Sequence, residues 1–96
     1  MNAETEETGD FLALVASLQR EDPQLTGIQA ALIAAARMGI ASDSRTFARR
    51  LGLAHALVLR ELNALAECSG AIRIKGRDAR TMRTRYCLRP VEPVPI

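Results

Sequence analysis

Arg73, Lys75, Arg77, Arg80, Arg83, Arg85 and Arg89 crowd residues 73–89 against the single acid Asp78, a local net charge of +6. Guanidinium and ammonium groups at this density do one kind of chemistry well, which is to neutralise the phosphates of a polyanion. The opposite pole lies in residues 1–24, where Glu4, Glu6, Glu7, Asp10, Glu21 and Asp22 stand against Arg20, a net charge of −5. The overall charge of +2 hides this asymmetry. A solvated charged surface is the plainer reading, but the bases concentrate on one segment, which favours a basic face for nucleic acid.

A second set of candidates lies upstream. Ser44, Arg45 and Thr46 open a short helix whose free first-turn N–H groups can hold a phosphate. In the helix that follows, His55, Arg60 and Asn63 are the polar reach, and Ala56 or Leu57 can touch a thymine methyl. Arg60 can grip guanine O6 and N7 bidentately, or pair with Glu61 or Glu67 on the surface. Asn63 can pair with adenine, although solvation or a local hydrogen bond suits its position far along the helix better. His55, the only histidine, is a phosphate contact or a bystander. Leu57 and Leu59 mark a protein contact if both are exposed, and a slipped helix register if one turns inward.

Enzyme chemistry finds no purchase. The sequence offers no nucleophile–base pairing around His55, no glycine-rich phosphate loop and no metal-ligand cluster, so neither a cofactor nor a metal is expected. The Ser42-Asp43-Ser44 run suits helix capping. Cys68 and Cys87 read as two inert thiols at the core edge rather than a redox switch.

Positioning these residues requires helices and one hairpin. A frayed acidic segment over residues 1–9 precedes a helix from about Asp10 to Arg20 with Phe11, Leu14, Val15 and Leu18 at helical spacing. Asp22-Pro23 breaks it, and an alanine-rich helix follows from about Thr26 to a glycine cap at Gly39. Ser42 or Ser44 caps a third helix with Phe47, Ala48 and Leu51 inward, and Gly52 supplies the turn. The fourth runs from about Ala54 to Glu67 and buries Val58, Leu62 and Leu65. Two strands, Ala71-Ile-Arg-Ile-Lys75 and Thr84-Arg-Tyr-Cys-Leu88, flank Arg77-Asp78-Ala79-Arg80. Alternation places Ile72, Ile74, Met82, Thr84, Tyr86 and Leu88 inward, with Arg73, Lys75, Arg83 and Arg85 outside. Residues 90–96 form an extended, proline-punctuated tail.

That order is a winged helix-turn-helix with an additional N-terminal helix, an α+β domain over residues 10–89. The chain of 96 residues with 48% apolar content suits one small domain, marginal enough alone that an oligomer is expected. It has no apolar run of about 18 residues to span a membrane, and its acidic start is unlike a signal peptide. A reduced cytoplasmic, nucleoid-associated setting follows as an expectation.

Leu25-Thr26, Gln29, Ser44, Phe47-Ala48, Leu51-Gly52-Leu53, Val58, Leu62, Leu65, Gly70 and Arg77-Asp78-Ala79-Arg80 together resemble the core of MarR-type winged-helix transcription regulators. The likeness spans residues 25–88. It implies a homodimer reading a two-fold symmetric operator in double-stranded DNA, with Arg80 as the wing-tip minor-groove residue and Asp78 orienting the wing. Two departures qualify it. MarR-type proteins continue into C-terminal dimer helices, so the dimer here falls to the N-terminal helix, the alanine-rich helix or the tail, with Phe11, Leu14, Val15 and Leu18 as the choice. The recognition helix also holds Ala54, Ala56, Leu57 and Leu59 where that family often has serine, threonine or basic residues. Arg77 and Arg80 then sit in or over the minor groove, and shape and phosphate readout outweigh base readout. The expected activity is sequence-specific DNA binding by a transcription regulator, controlled by its own concentration or a protein partner. A protein-interaction adaptor and a non-specific architectural DNA binder are the alternatives.

Overall fold

Four helices followed by an antiparallel hairpin give an α+β fold: α1 Ala3–Glu21, α2 Gly27–Arg37, α3 Ser44–Leu51, α4 His55–Cys68, β1 Ile72–Arg77 and β2 Thr84–Leu88. The computed structural model describes residues 3–89, with side chains from Gly9 onward. Met1, Asn2 and the tail expected to be extended (residues 90–96) lie outside the described residues.

The first helix starts seven residues earlier than expected, at Ala3 instead of Asp10. Asp10, expected as its N-cap, therefore lies within the helix. Its apolar face packs on the rest of the chain. Phe11 and Leu18 are buried in the chain's own core, and Leu14 and Val15 are half-buried against it. The reason lies in α2, on which α1 packs. Ala30, Leu32, Ile33, Ala34 and Ala35 of α2 are all buried, so this helix is apolar around most of its girth and must be covered on more than one side.

Local signals fix the ends of α2. The Thr26 hydroxyl accepts the Gln29 N–H and the Gln29 side chain accepts the Thr26 N–H, both at 3.1 Å, which closes a capping box. At the other end Met38 is the C-cap, and Gly39 follows at φ +72°, the left-handed conformation glycine adopts most cheaply.

Val58, Leu62 and Leu65 of α4 meet Phe47 of α3, Leu32 of α2 and Ile72 and Tyr86 of the hairpin in one core. The Tyr86 hydroxyl spans it and donates to the Leu32 carbonyl at 2.7 Å. Two apolar residues expected inside are outside: Leu51 is 37% exposed and Met82 is 53% exposed. Met82 sits at φ +61° with its N–H on the Asp78 carbonyl (2.7 Å), so the turn redirects its side chain before the strand alternation begins.

The hairpin register pairs Ile72 with Leu88, Ile74 with Tyr86 and Arg77 with Thr84, with a bulge at Lys75. A further edge was not evident from the sequence. Asp43 bridges Arg85, and the Tyr86 N–H donates to the Ser42 carbonyl at 3.0 Å, so the connector before α3 pairs with the outer side of β2.

Candidate nucleic-acid interface

With Val58, Leu62 and Leu65 inward, the α4 periodicity turns Ala56 and Arg60 to solvent and leaves His55, Leu57, Leu59 and Asn63 half-buried. Neither leucine is an open apolar patch, and the expected register holds. Ala54 caps α4 without a side-chain hydrogen bond. Arg60 forms no ion pair with Glu61 or Glu67 among the described residues, and Glu61 instead accepts from the Gln29 amide at 3.3 Å. One turn further on, Asn63 Oδ1 accepts from Arg77 Nη2 at 2.8 Å. That bond commits the Asn63 carbonyl oxygen to the hairpin, not to adenine. It also sets Arg77 one helical turn from Arg60.

The start of α3 fastens the hairpin to the helices. Asp43, not Ser42 or Ser44, is the N-cap: its carboxylate accepts the Thr46 N–H at 2.9 Å and pairs with Arg83 at 3.4 Å. Arg45 Nε donates to the Thr81 carbonyl at 2.9 Å. Ser44 is fully buried, and its Oγ accepts the Thr84 N–H at 2.9 Å while lying 2.8 Å from His55 Nε2. The expected phosphate cradle of Ser44, Arg45 and Thr46 is therefore corrected. The cap carboxylate already takes the first-turn N–H of Thr46, and Ser44 and Arg45 hold the hairpin. A negative cap and a phosphate compete for the same donors.

The Ser44–His55 pair also corrects the expectation of no nucleophile–base pairing around His55. Its geometry suits a hydroxyl donating to a neutral imidazole whose proton is on Nδ1, because Ser44 Oγ is already an acceptor for Thr84. Burial closes that hydroxyl to any substrate. Desolvation first, then the neighbouring Arg45 charge, hold the His55 pKa below its ordinary value against the opposing pull of Asp43. Burial alone would raise the Asp43 carboxyl, but the Thr46 N–H and hydroxyl, the Arg83 guanidinium and the Arg45 N–H together hold it below the usual value. Tyr86 is pushed up, chiefly by burial and further by Asp43.

The tip of the hairpin is organised by Asp78. Its carboxylate accepts the Arg80 N–H at 2.9 Å and the Thr81 N–H at 3.4 Å, and its own N–H donates to the Arg83 carbonyl at 2.9 Å. Such local carboxylate-to-backbone bonds are what short acidic side chains do in turns. Arg73, Lys75, Arg77 and Arg80 are exposed, and Arg80 has no side-chain partner among the described residues. Of the basic candidates, Arg45 and Arg83 are spent on internal bonds. Arg49 and Arg50, absent from the candidates above, are exposed in the last turn of α3, where cations complement the helix dipole. Their adjacency at a helix end was the available signal.

Among the described residues no group of histidine, cysteine or acidic side chains is placed to hold a metal, and no helix is long and apolar enough to cross a membrane. Cys68 is exposed and Cys87 half-buried, both as free thiols. The molecule is thus an α+β domain presenting an exposed arginine-rich hairpin tied to the side of a helix. Comparison with protein families, curated proteins and solved structures gives no match.

Proposed function

We propose that this chain is a winged helix-turn-helix protein that binds double-stranded DNA and regulates transcription, with α3, the Gly52 turn and α4 as the helix-turn-helix and β1–β2 as the wing. The observation that carries the reading is the Arg77–Asn63 bond. It fixes the basic hairpin beside α4, so that Arg60 and the exposed Arg73, Lys75, Arg77 and Arg80 act as one cationic surface. In this reading α4 enters the major groove with Arg60 as its base-reading side chain, and Arg80 reaches into the minor groove. Ala56 and Leu57 offer apolar contact only, which keeps base readout sparse. Gly52, at φ +67°, supplies the tight turn such a pair of helices needs.

The likeness to MarR-type regulators belongs to the same proposal, as do a homodimer and a nucleoid setting. The dimer surface must then avoid Phe11 and Leu18, which the monomer already buries. The protein acts without catalysis or cofactor.

Fluorescence anisotropy tests the reading, using the full chain, its own upstream region, a scrambled duplex and a salt series. Tight binding to the upstream duplex that falls steeply with salt, and that is lost in Arg60→Ala plus Arg80→Ala, is the expected outcome. Equal affinity for both duplexes replaces the regulator with an architectural binder. Absence of binding at low salt replaces it with a protein adaptor, whose partner binding Leu57→Asp and Leu59→Asp would abolish.

A further inference from the structure

At the end of β2 the sheet opens into a groove. The Tyr86 N–H donates to Ser42 on the side of β2 away from β1, whereas the Arg89 N–H donates to the Ala71 carbonyl (2.9 Å) on the β1 side. Donors alternate sides along a strand, so the Leu88 N–H points the same way as that of Tyr86. The connector has by then turned off toward α2, and no backbone partner reaches the Leu88 N–H among the described residues. The space left is a groove of about 410 Å³ lined by Ala36, Ser42, Lys75, Arg85, Cys87 and Leu88 among others.

Its charge is one-sided. Lys75 is the bulged residue of β1, and the Arg85 guanidinium lies over Gly76, where a methyl group would meet Nη2 at 3.6 Å. Neither cation has an ion pair or a side-chain hydrogen bond among the described residues. Two like charges on one concave wall repel, and an anion between them converts repulsion into attraction. Ala36, Cys87 and Leu88 give the rest of the wall an apolar character that a bare phosphate would not use.

We propose that this groove binds a small organic anion, a carboxylate carried on a short apolar body. Arg85 and Lys75 take the carboxylate, the Leu88 N–H adds a neutral donor, and the apolar body lies against Ala36 and Leu88. This site stands independently of DNA binding, although occupancy would withdraw Lys75 from the basic face described above.

The test is a ¹⁵N–¹H correlation titration of the full chain with sodium hexanoate, hexanol, inorganic phosphate and a short DNA duplex in turn. Hexanoate should give saturable shifts at the amides of Ala36, Ser42, Lys75 and Arg85 to Leu88, and bind at least about tenfold more tightly than hexanol or phosphate. Arg85→Gln and Lys75→Gln, both at exposed positions, should each weaken hexanoate about tenfold with the remaining spectrum unchanged. The proposal is overturned if phosphate or hexanol binds as well as hexanoate, or if no saturable shift appears by about 10 mM. Failure of the protein to bind DNA at all leaves the hexanoate result standing.

Discussion

Replacing Ser44 with alanine is the most searching test of how the hairpin is fastened. Its hydroxyl is fully buried, accepts the Thr84 N–H at 2.9 Å and faces His55 Nε2 at 2.8 Å. Removing it orphans a buried backbone donor, which costs about 1–3 kcal/mol. His55 is only half-buried and can turn to water, so its share is smaller, about 0.5–1 kcal/mol. Together these give a loss of about 1.5–4 kcal/mol out of the roughly 5–15 kcal/mol typical of a domain. For a chain of this length that corresponds to a fall in Tm of roughly 6–32 °C. Urea unfolding followed by circular dichroism reads the loss directly as a lower midpoint at unchanged slope. Amide exchange adds the local readout, with the Thr84 N–H losing protection. His55→Ala should cost about 1 kcal/mol or less, because Thr84 keeps its acceptor. The reasoning fails if Ser44→Ala lies within about 0.5 kcal/mol of the parent and Thr84 stays protected.

Further outcomes follow from the same bonds. His55 titrates below its ordinary value of 6.5 when folded, so the folded state binds fewer protons than the unfolded one in that range; stability is full above pH 6.5 and falls as the pH drops below it. His55→Gln should flatten that part of the pH–stability curve, and an unchanged slope would refute the assignment. Asp43→Ala removes the α3 cap and frees Arg83, with an expected loss of about 1–2 kcal/mol in urea unfolding at neutral pH. The lowered Asp43 carboxyl contributes stability above its ordinary value of 3.8 that is lost as the pH falls further, so the gap between parent and variant should narrow in acid. Tyr86 is the only tyrosine, and its raised pKa means that absorbance should detect no phenolate at pH 10 until the chain unfolds. Stability from this group is present below pH 10 and lost above it, and Tyr86→Phe should cost about 1 kcal/mol at neutral pH.

Much of this architecture was legible in the residue order. Val58, Leu62 and Leu65 at helical spacing announced the buried side of α4, and Thr84 and Tyr86 alternated as a half-buried strand should. Gly39 and Gly52 marked chain reversals because their positive φ angles suit glycine above other residues. The charge asymmetry, and with it the basic character of the hairpin, is a property of composition alone. Such features depend on near neighbours in the chain, which is why the sequence by itself determined them.

What the sequence left open depended on who meets whom across the chain. Ser44 reads as a surface phosphate ligand until β2 arrives 40 residues later to cover it and take its oxygen. Arg45 and Asn63 have the same side chains whether they face DNA or not; only the hairpin passing beside them claims Arg45 through Thr81 and Asn63 through Arg77. Phe11 and Leu18 show an amphipathic face without stating its partner, and the apolar girth of α2 decides that the cover comes from within the chain. A polar or apolar stripe specifies what kind of surface must meet it. Which surface does so is settled by tertiary packing, where long-range pairings compete for the same groups.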